Sequence, residues 1–187
     1  MQKSLLIIAL IIAVAGFAVA EEMEKTFPDF TLKTPGGEEV TLSERCAEGP
    51  VIVTFWATWC KPCRKELGKL SEMHDLLEKH GVEVIAISED GPRTRARVRP
   101  FVRKEGWDFT VLLDPGGKVK VEAGVADIPE LFMLTEDRQI VYRHVSYKPG
   151  DEAEYKEKIA ELFPAPQEEI EAKADTGESD PEEDVED

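Results

Sequence analysis

Nine consecutive residues constrain this chain more than any others: Phe55-Trp56-Ala57-Thr58-Trp59-Cys60-Lys61-Pro62-Cys63. The β-branched and aromatic run from Val51 to Trp56 reads as a buried strand. From Cys60 to His80 the pattern turns helical, with Leu67, Leu70, Met73, Leu76 and Leu77 on one face and Gly81 as the stop. Two cysteines three apart therefore stand at the first turn of a helix that follows a buried strand. The free N–H groups and positive dipole end there favour an anion, so they stabilise a Cys60 thiolate. A thiol near ~8.5 falls to about 7 or lower in such surroundings. The thiolate is the species that attacks a disulfide, and a second cysteine one turn on can close on the mixed disulfide and release the product. Pro62 suits a first turn that has no use for its missing N–H, and Lys61 adds positive charge. Two other uses of the pair compete. A zinc half-site needs a second Cys or His pair, and the chain offers only Cys46 and the scattered His74, His80 and His144. An inert structural disulfide leaves the helix-start activation without use.

The surrounding segments, from about residue 27 to 164, alternate short apolar runs with longer amphipathic stretches, the pattern of a sheet covered by helices. Phe30 to Thr34 and Val40 to Leu42 flank Pro35-Gly36-Gly37 as an edge hairpin. Val82 to Ile87 and Val111 to Leu113 are strands, with a helix over Arg93 to Glu105 disturbed at Pro100. Leu131 to Leu134 and Gln139 to Val145 form an antiparallel pair. A helix from Asp151 to Phe163 closes the domain with Tyr155, Ile159 and Leu162 facing in. Cys46 reads first as a small buried hydrophobe and second as a thiol able to pair between molecules. Arg93, Arg95, Arg97 and Arg99 alternate by two and so spread around a helix as a solvated surface.

Both ends differ from this middle. Residues 1–20 read as a secretory signal: Lys3, an apolar run from Leu5 to Val14, and a small-x-small site at Ala18-Val19-Ala20. The stretch also fits a short uncleaved anchor, although its 16 apolar residues fall below the roughly 20 of a spanning helix. From Ala165 to Asp187 stand eleven acids and one Lys, a net −10 of the chain's −16. That tail, 165–187, reads as disordered and solubilising. The domain between is expected over 21–164. An acidic chain of this kind is no general nucleic-acid binder or peripheral protein on anionic lipid. Export places the pair in a compartment where disulfides form.

The chain resembles the exported TlpA/ResA-type branch of thiol-disulfide oxidoreductases in the thioredoxin superfamily. The resemblance rests on Thr54 to Glu66, on Phe109-Thr110-Val111-Leu112-Leu113-Asp114, and on Ile128-Pro129 before an apolar strand. It implies an α/β thioredoxin-like fold: a central mixed sheet flanked by helices, an N-terminal hairpin and a central helix-strand insert. It also implies that Pro129 is the cis proline that lies against the cysteine pair and presents backbone to an extended substrate. The buried acid of thioredoxins proper is replaced by Thr54. Glu66, three residues past Cys63, matches the acid of the exported branch and shares a helix face with that thiol; an exposed helical Glu is the alternative. Gly68 stands where relatives often have Pro. Glu130 replaces the usual Thr and is expected to put an acid beside the substrate surface. A peroxidase of the related peroxiredoxin branch needs Pro and Thr where Val53 and Ala57 stand.

The resemblance implies an exported enzyme, periplasmic or otherwise extracytoplasmic, that exchanges Cys60–Cys63 with cysteines of other proteins. Cys60 attacks, Cys63 resolves, Glu66 assists proton transfer, and Trp59, Ile128 and Pro129 shape the contact. No organic cofactor or metal is required. Its partners are exported proteins bearing disulfides, apocytochrome c among them, and an integral-membrane thiol donor. Membrane attachment follows only if the N-terminal segment stays as an anchor. Rival uses of the same cysteines are an oxidase or isomerase and a copper(I) metallochaperone, although no Met or His stands near to complete a copper site.

Overall fold

A computed structural model describes residues 26–165. The signal read over 1–20 and, past Ala165, the acidic tail lie outside the described residues. No helix among the described residues is long and apolar enough to cross a membrane.

Seven strands form one mixed sheet in the order β2-β1-β5-β4-β3-β6-β7. They are β1 (Thr31–Lys33), β2 (Glu39–Thr41), β3 (Val51–Trp56), β4 (Glu83–Ser88), β5 (Thr110–Leu113), β6 (Glu130–Leu134) and β7 (Ile140–Val145). Strands β3, β4 and β5 run parallel, and the remaining pairings are antiparallel. This is the thioredoxin-like arrangement, with the N-terminal hairpin joined through β1 to β5.

All six residues of β3 are buried because the strand is covered on both faces. Its alternation sorts the core. Val51, Val53 and Phe55 pack with Phe27, Phe30, Leu42, Ile85 and Phe132. Ile52 and Trp56 pack with Leu67, Leu70, Val98, Tyr155 and Ile159. Each large apolar side chain so buried contributes about 1.5–3 kcal/mol.

Among the described residues six α-helices cover the sheet: α1 (Leu42–Cys46), α2 (Lys61–Ser71), α3 (His74–Lys79), α4 (Val98–Glu105), α5 (Lys118–Glu122) and α6 (Asp151–Leu162). The single helix expected over Cys60 to His80 is thus two. At Met73 the backbone tightens, its N–H bonding to Leu70 rather than four residues back. A straight 21-residue helix is about 31 Å long, whereas the six-residue strand beneath spans about 20 Å. The chain turns where it would overrun the sheet, which keeps Met73 and Leu77 buried. Gly81, at φ 64°, supplies the left-handed residue that ends the unit.

The helix expected over Arg93 to Glu105 also starts later. Arg95–Arg97 form a 3₁₀ turn and α4 begins at Val98. Pro100 therefore sits in the first turn, where its missing N–H disrupts nothing, rather than in an interior it would break. The short α1 and α5 carry too little periodicity to be read from sequence.

The chain ends of the domain meet. Thr26 bridges Gln139 in the β6–β7 turn, and the Phe27 N–H donates to the Arg138 carbonyl at 2.8 Å. Phe163 and Pro164, after α6, line a recess with Gly49, Pro50 and Thr135 to Asp137, at the N-terminal end of β3. The opposite, C-terminal end of β3 leads into the cysteines.

Candidate active site

Strand β3 ends at Trp56, and after four intervening residues the chain enters α2 at Lys61. Between them, Cys60 closes a tight turn by donating its N–H to the Ala57 carbonyl at 3.0 Å. Its extended backbone, φ −83° and ψ 104°, makes it the cap of α2. Its Sγ accepts the Cys63 N–H at 3.3 Å, so one of the orphan donors of the helix's first turn is satisfied by that sulfur. Pro62 lies in the first turn. Cys60 and Cys63 are joined as a disulfide, with Cα atoms 5.4 Å apart. Cys63 is fully buried and Cys60 is 6% exposed, so the outer sulfur is the one a partner can approach.

Two segments frame it. The Ile128–Pro129 peptide is cis and precedes β6 directly. Its Ile128 carbonyl oxygen stands 3.9 Å from Cys60 Sγ. Directly before Cys60, Trp59 is 62% exposed, a large apolar side chain open to solvent. Structure thus gathers Cys60, Cys63, Trp59, Ile128 and Pro129 at one end of the sheet.

Glu66 is fully buried rather than an exposed helical residue. Thr54 Oγ1 donates to its Oε2 at 2.8 Å, and the Tyr155 hydroxyl donates to its Oε1 at 2.9 Å. Burial pushes its carboxyl up to about 7, and the two donors pull the other way. The acid missing at position 54 is therefore supplied to the Thr54 hydroxyl from the next element. Glu130 corrects an expectation. It is 1% exposed and ion-paired with the Arg143 guanidinium, which also lies 5.3 Å over the Phe132 ring. Its carboxylate is taken up by Arg143 of β7, which stands opposite Phe132, one diagonal step from Val145, the residue facing Glu130, so the buried acid is not presented to a substrate.

One residue of the site escaped sequence reading. Asp90, fully buried after β4, accepts the Thr58 N–H and the Thr58 hydroxyl, both at 2.7 Å, and the Ser88 hydroxyl at 3.0 Å. It ties down the loop that carries Trp59 and Cys60. The only hint was an acid at a strand end. Cys46 is buried and free, and burial pushes its thiol up to about 11.

The AhpC/TSA family model matches residues 23–143. The thiol-disulfide oxidoreductase ResA of Bacillus anthracis is 33% identical over 146 residues, covering 76% of this chain and 83% of that protein. Its Bacillus subtilis counterpart is 29% identical over 114 residues, 61% of this chain and 62% of the relative. Among solved structures, one from Chlorobium tepidum assigned to the thiol:disulfide interchange protein DsbE superposes with a TM-score of 0.67. It is 27% identical and the match covers 74% of this chain and 96% of that one. A thioredoxin-like protein of Porphyromonas gingivalis reaches a TM-score of 0.62 at 35% identity, over 73% and 91%. With a Cys60–Cys63 disulfide at the start of α2 and these relatives, this chain belongs to the AhpC/TSA family as a thiol-disulfide oxidoreductase of thioredoxin-like fold.

Proposed function

We propose that the protein works outside the cytoplasm as a reductant of disulfides in other exported proteins. The observation that carries this reading is the placement of one slightly exposed sulfur, Cys60, at an open helix start, with buried Glu66 one turn beyond buried Cys63. The reduced form acts first through Cys60. Its thiolate attacks a substrate disulfide, one substrate sulfur leaves as a thiolate, and a mixed disulfide forms. Cys63 Sγ–H then gives its proton to the Glu66 carboxylate, and the new thiolate attacks Cys60 Sγ. The second substrate sulfur departs, leaving the substrate reduced by two electrons and the Cys60–Cys63 pair oxidised. A carboxyl near neutrality suits this proton exchange better than one at its ordinary value. Trp59 supplies apolar contact, while Ile128 and Pro129 present backbone to an extended substrate segment.

The direction of electron flow rests on three features. Pro62 precedes Cys63, where strongly oxidising relatives tend to carry His. The apolar Ile128 side chain offers no hydrogen bond to a Cys60 thiolate. Lys61 is exposed and adds only a screened charge. The dithiol form is then weakly favoured, and the potential lies nearer thioredoxin's ~−270 mV than the ~−120 mV of a strong periplasmic oxidant. An integral-membrane thiol donor would recharge the pair, and the haem-attachment cysteines of apocytochrome c are among the acceptors that need such a reductant. Equilibration of the purified protein in glutathione redox buffers tests the direction. A potential above about −160 mV would overturn it in favour of an oxidase or isomerase.

A further inference from the structure

Glu66 is held by two donors from parts of the chain that have no other business at the cysteines. Thr54 comes from the middle of β3, and Tyr155, 89 residues away, comes from α6. Both are fully buried, and each donates to a different carboxylate oxygen. A carboxylate with both oxygens occupied by donors has its ionised form compensated, while a neutral carboxyl has one proton that must itself find an acceptor. We propose that Thr54 and Tyr155 are positioning residues, a two-donor clamp that fixes the Glu66 carboxyl and favours its ionised form against the burial that opposes it, so that it can take the Cys63 proton. The inference rests on the reading above that Glu66 exchanges a proton with Cys63.

Other groups act on the same carboxyl. Burial raises it most, and Asp151 at the start of α6 raises it further. Tyr142 of β7, Tyr147 in the following loop and Tyr155 couple to its charge, each pushed up in turn. Cys63 shares its helix. Among these, only Thr54 and Tyr155 pull Glu66 toward ionisation. When the proton leaves Cys63 Sγ for a Glu66 oxygen, the new carboxyl O–H needs an acceptor and one of the two hydroxyl donors must turn to provide it, so the neutral form is reached only by giving up one donated bond. The proton then passes to solvent or to a departing substrate thiolate.

The test uses the full chain in its reduced form, with the side-chain carboxyl of Glu66 followed by carbon NMR across pH. Tyr155→Phe removes one donor and keeps the ring. Thr54→Val removes the other and keeps the shape, and Thr54→Ser restores it. A lost hydrogen bond to a charged acceptor moves the midpoint up by about one pH unit, a tenfold change in acidity. The expected result is an upward move of that size in Tyr155→Phe and in Thr54→Val, with Thr54→Ser near the wild-type midpoint. The rising limb of the pH–rate profile for mixed-disulfide resolution should move by the same amount. Midpoints within about 0.2 unit of wild type in both folded single variants would overturn the clamp. The reading it rests on fails separately: if Glu66→Gln leaves the pH–rate profile unchanged, Glu66 serves no thiol, whatever its midpoint does.

Discussion

Cys46 and Cys60 carry the same side chain in opposite surroundings. Burial among Val51, Phe55 and Leu42 pushes the Cys46 thiol up to about 11, whereas Cys60 Sγ accepts the Cys63 N–H at the start of α2. Alkylation of the reduced protein at mildly acidic pH should therefore label Cys60 first and leave Cys46 untouched while the fold lasts. Mass mapping of the labelled peptides checks this, and early label at Cys46 would contradict it. Glu66 gives a stability prediction with a definite sign. Its carboxyl holds its proton more tightly folded than unfolded, about 7 against 4.5. That contribution is complete below about pH 4.5 and is lost as pH rises through 7, where the buried charge costs up to about 3 kcal/mol. Glu66→Gln should accordingly gain stability over wild type at pH 8.5 and lose that gain below pH 4.5, as read by urea melts at both values. The sequence made the placement of Cys60 and Cys63 at a helix start legible, because a two-residue spacer on a strand-to-helix joint is a local pattern. It left open whether Glu66 was buried, since its partners lie 12 and 89 residues away.

The elements that matter most to the site are the ones with the least regular structure. Trp59 and Cys60 ride on a loop whose geometry is fixed by Asp90 through both Thr58 groups. Asp90→Ala removes the acceptor for three donors in a buried place, which should cost about 2–4 kcal/mol. It should also slow thiol exchange by more than that loss of stability explains at a temperature where the variant is still folded. Stopped-flow reduction of a small disulfide, paired with a thermal melt, separates the two effects. Long strands and α6 were legible from alternation and from Tyr155, Ile159 and Leu162 at helical spacing. The break between α2 and α3 was not, because it answers to the width of the sheet beneath, and sequence periodicity runs through it undisturbed. The later start of α4 follows Pro100, which marks a helix edge as well as it marks a kink.

At the scale of the whole molecule, the sheet order β2-β1-β5-β4-β3-β6-β7 could not be derived from strand patterns, since each strand reads alike whichever neighbour it takes. Family resemblance supplied the architecture, and the pairing of β1 with β5 shows how the hairpin joins it. That order has a mechanical outcome. Thr26 and Pro164 leave the domain beside the β6–β7 turn and the N-terminal end of β3, while the disulfide sits past the far end of that strand. Anything attached before or after the domain is thus a leash fastened to the heel of the molecule, with the reactive sulfur at the toe. A folded passenger fused after residue 165 should leave the rate of small-disulfide reduction within about twofold of the unfused chain, because it cannot crowd the toe. A leash at the heel also sets a reach: tethered to a bilayer, the domain would sweep its sulfur through the space facing away from the surface, where unanchored clients drift.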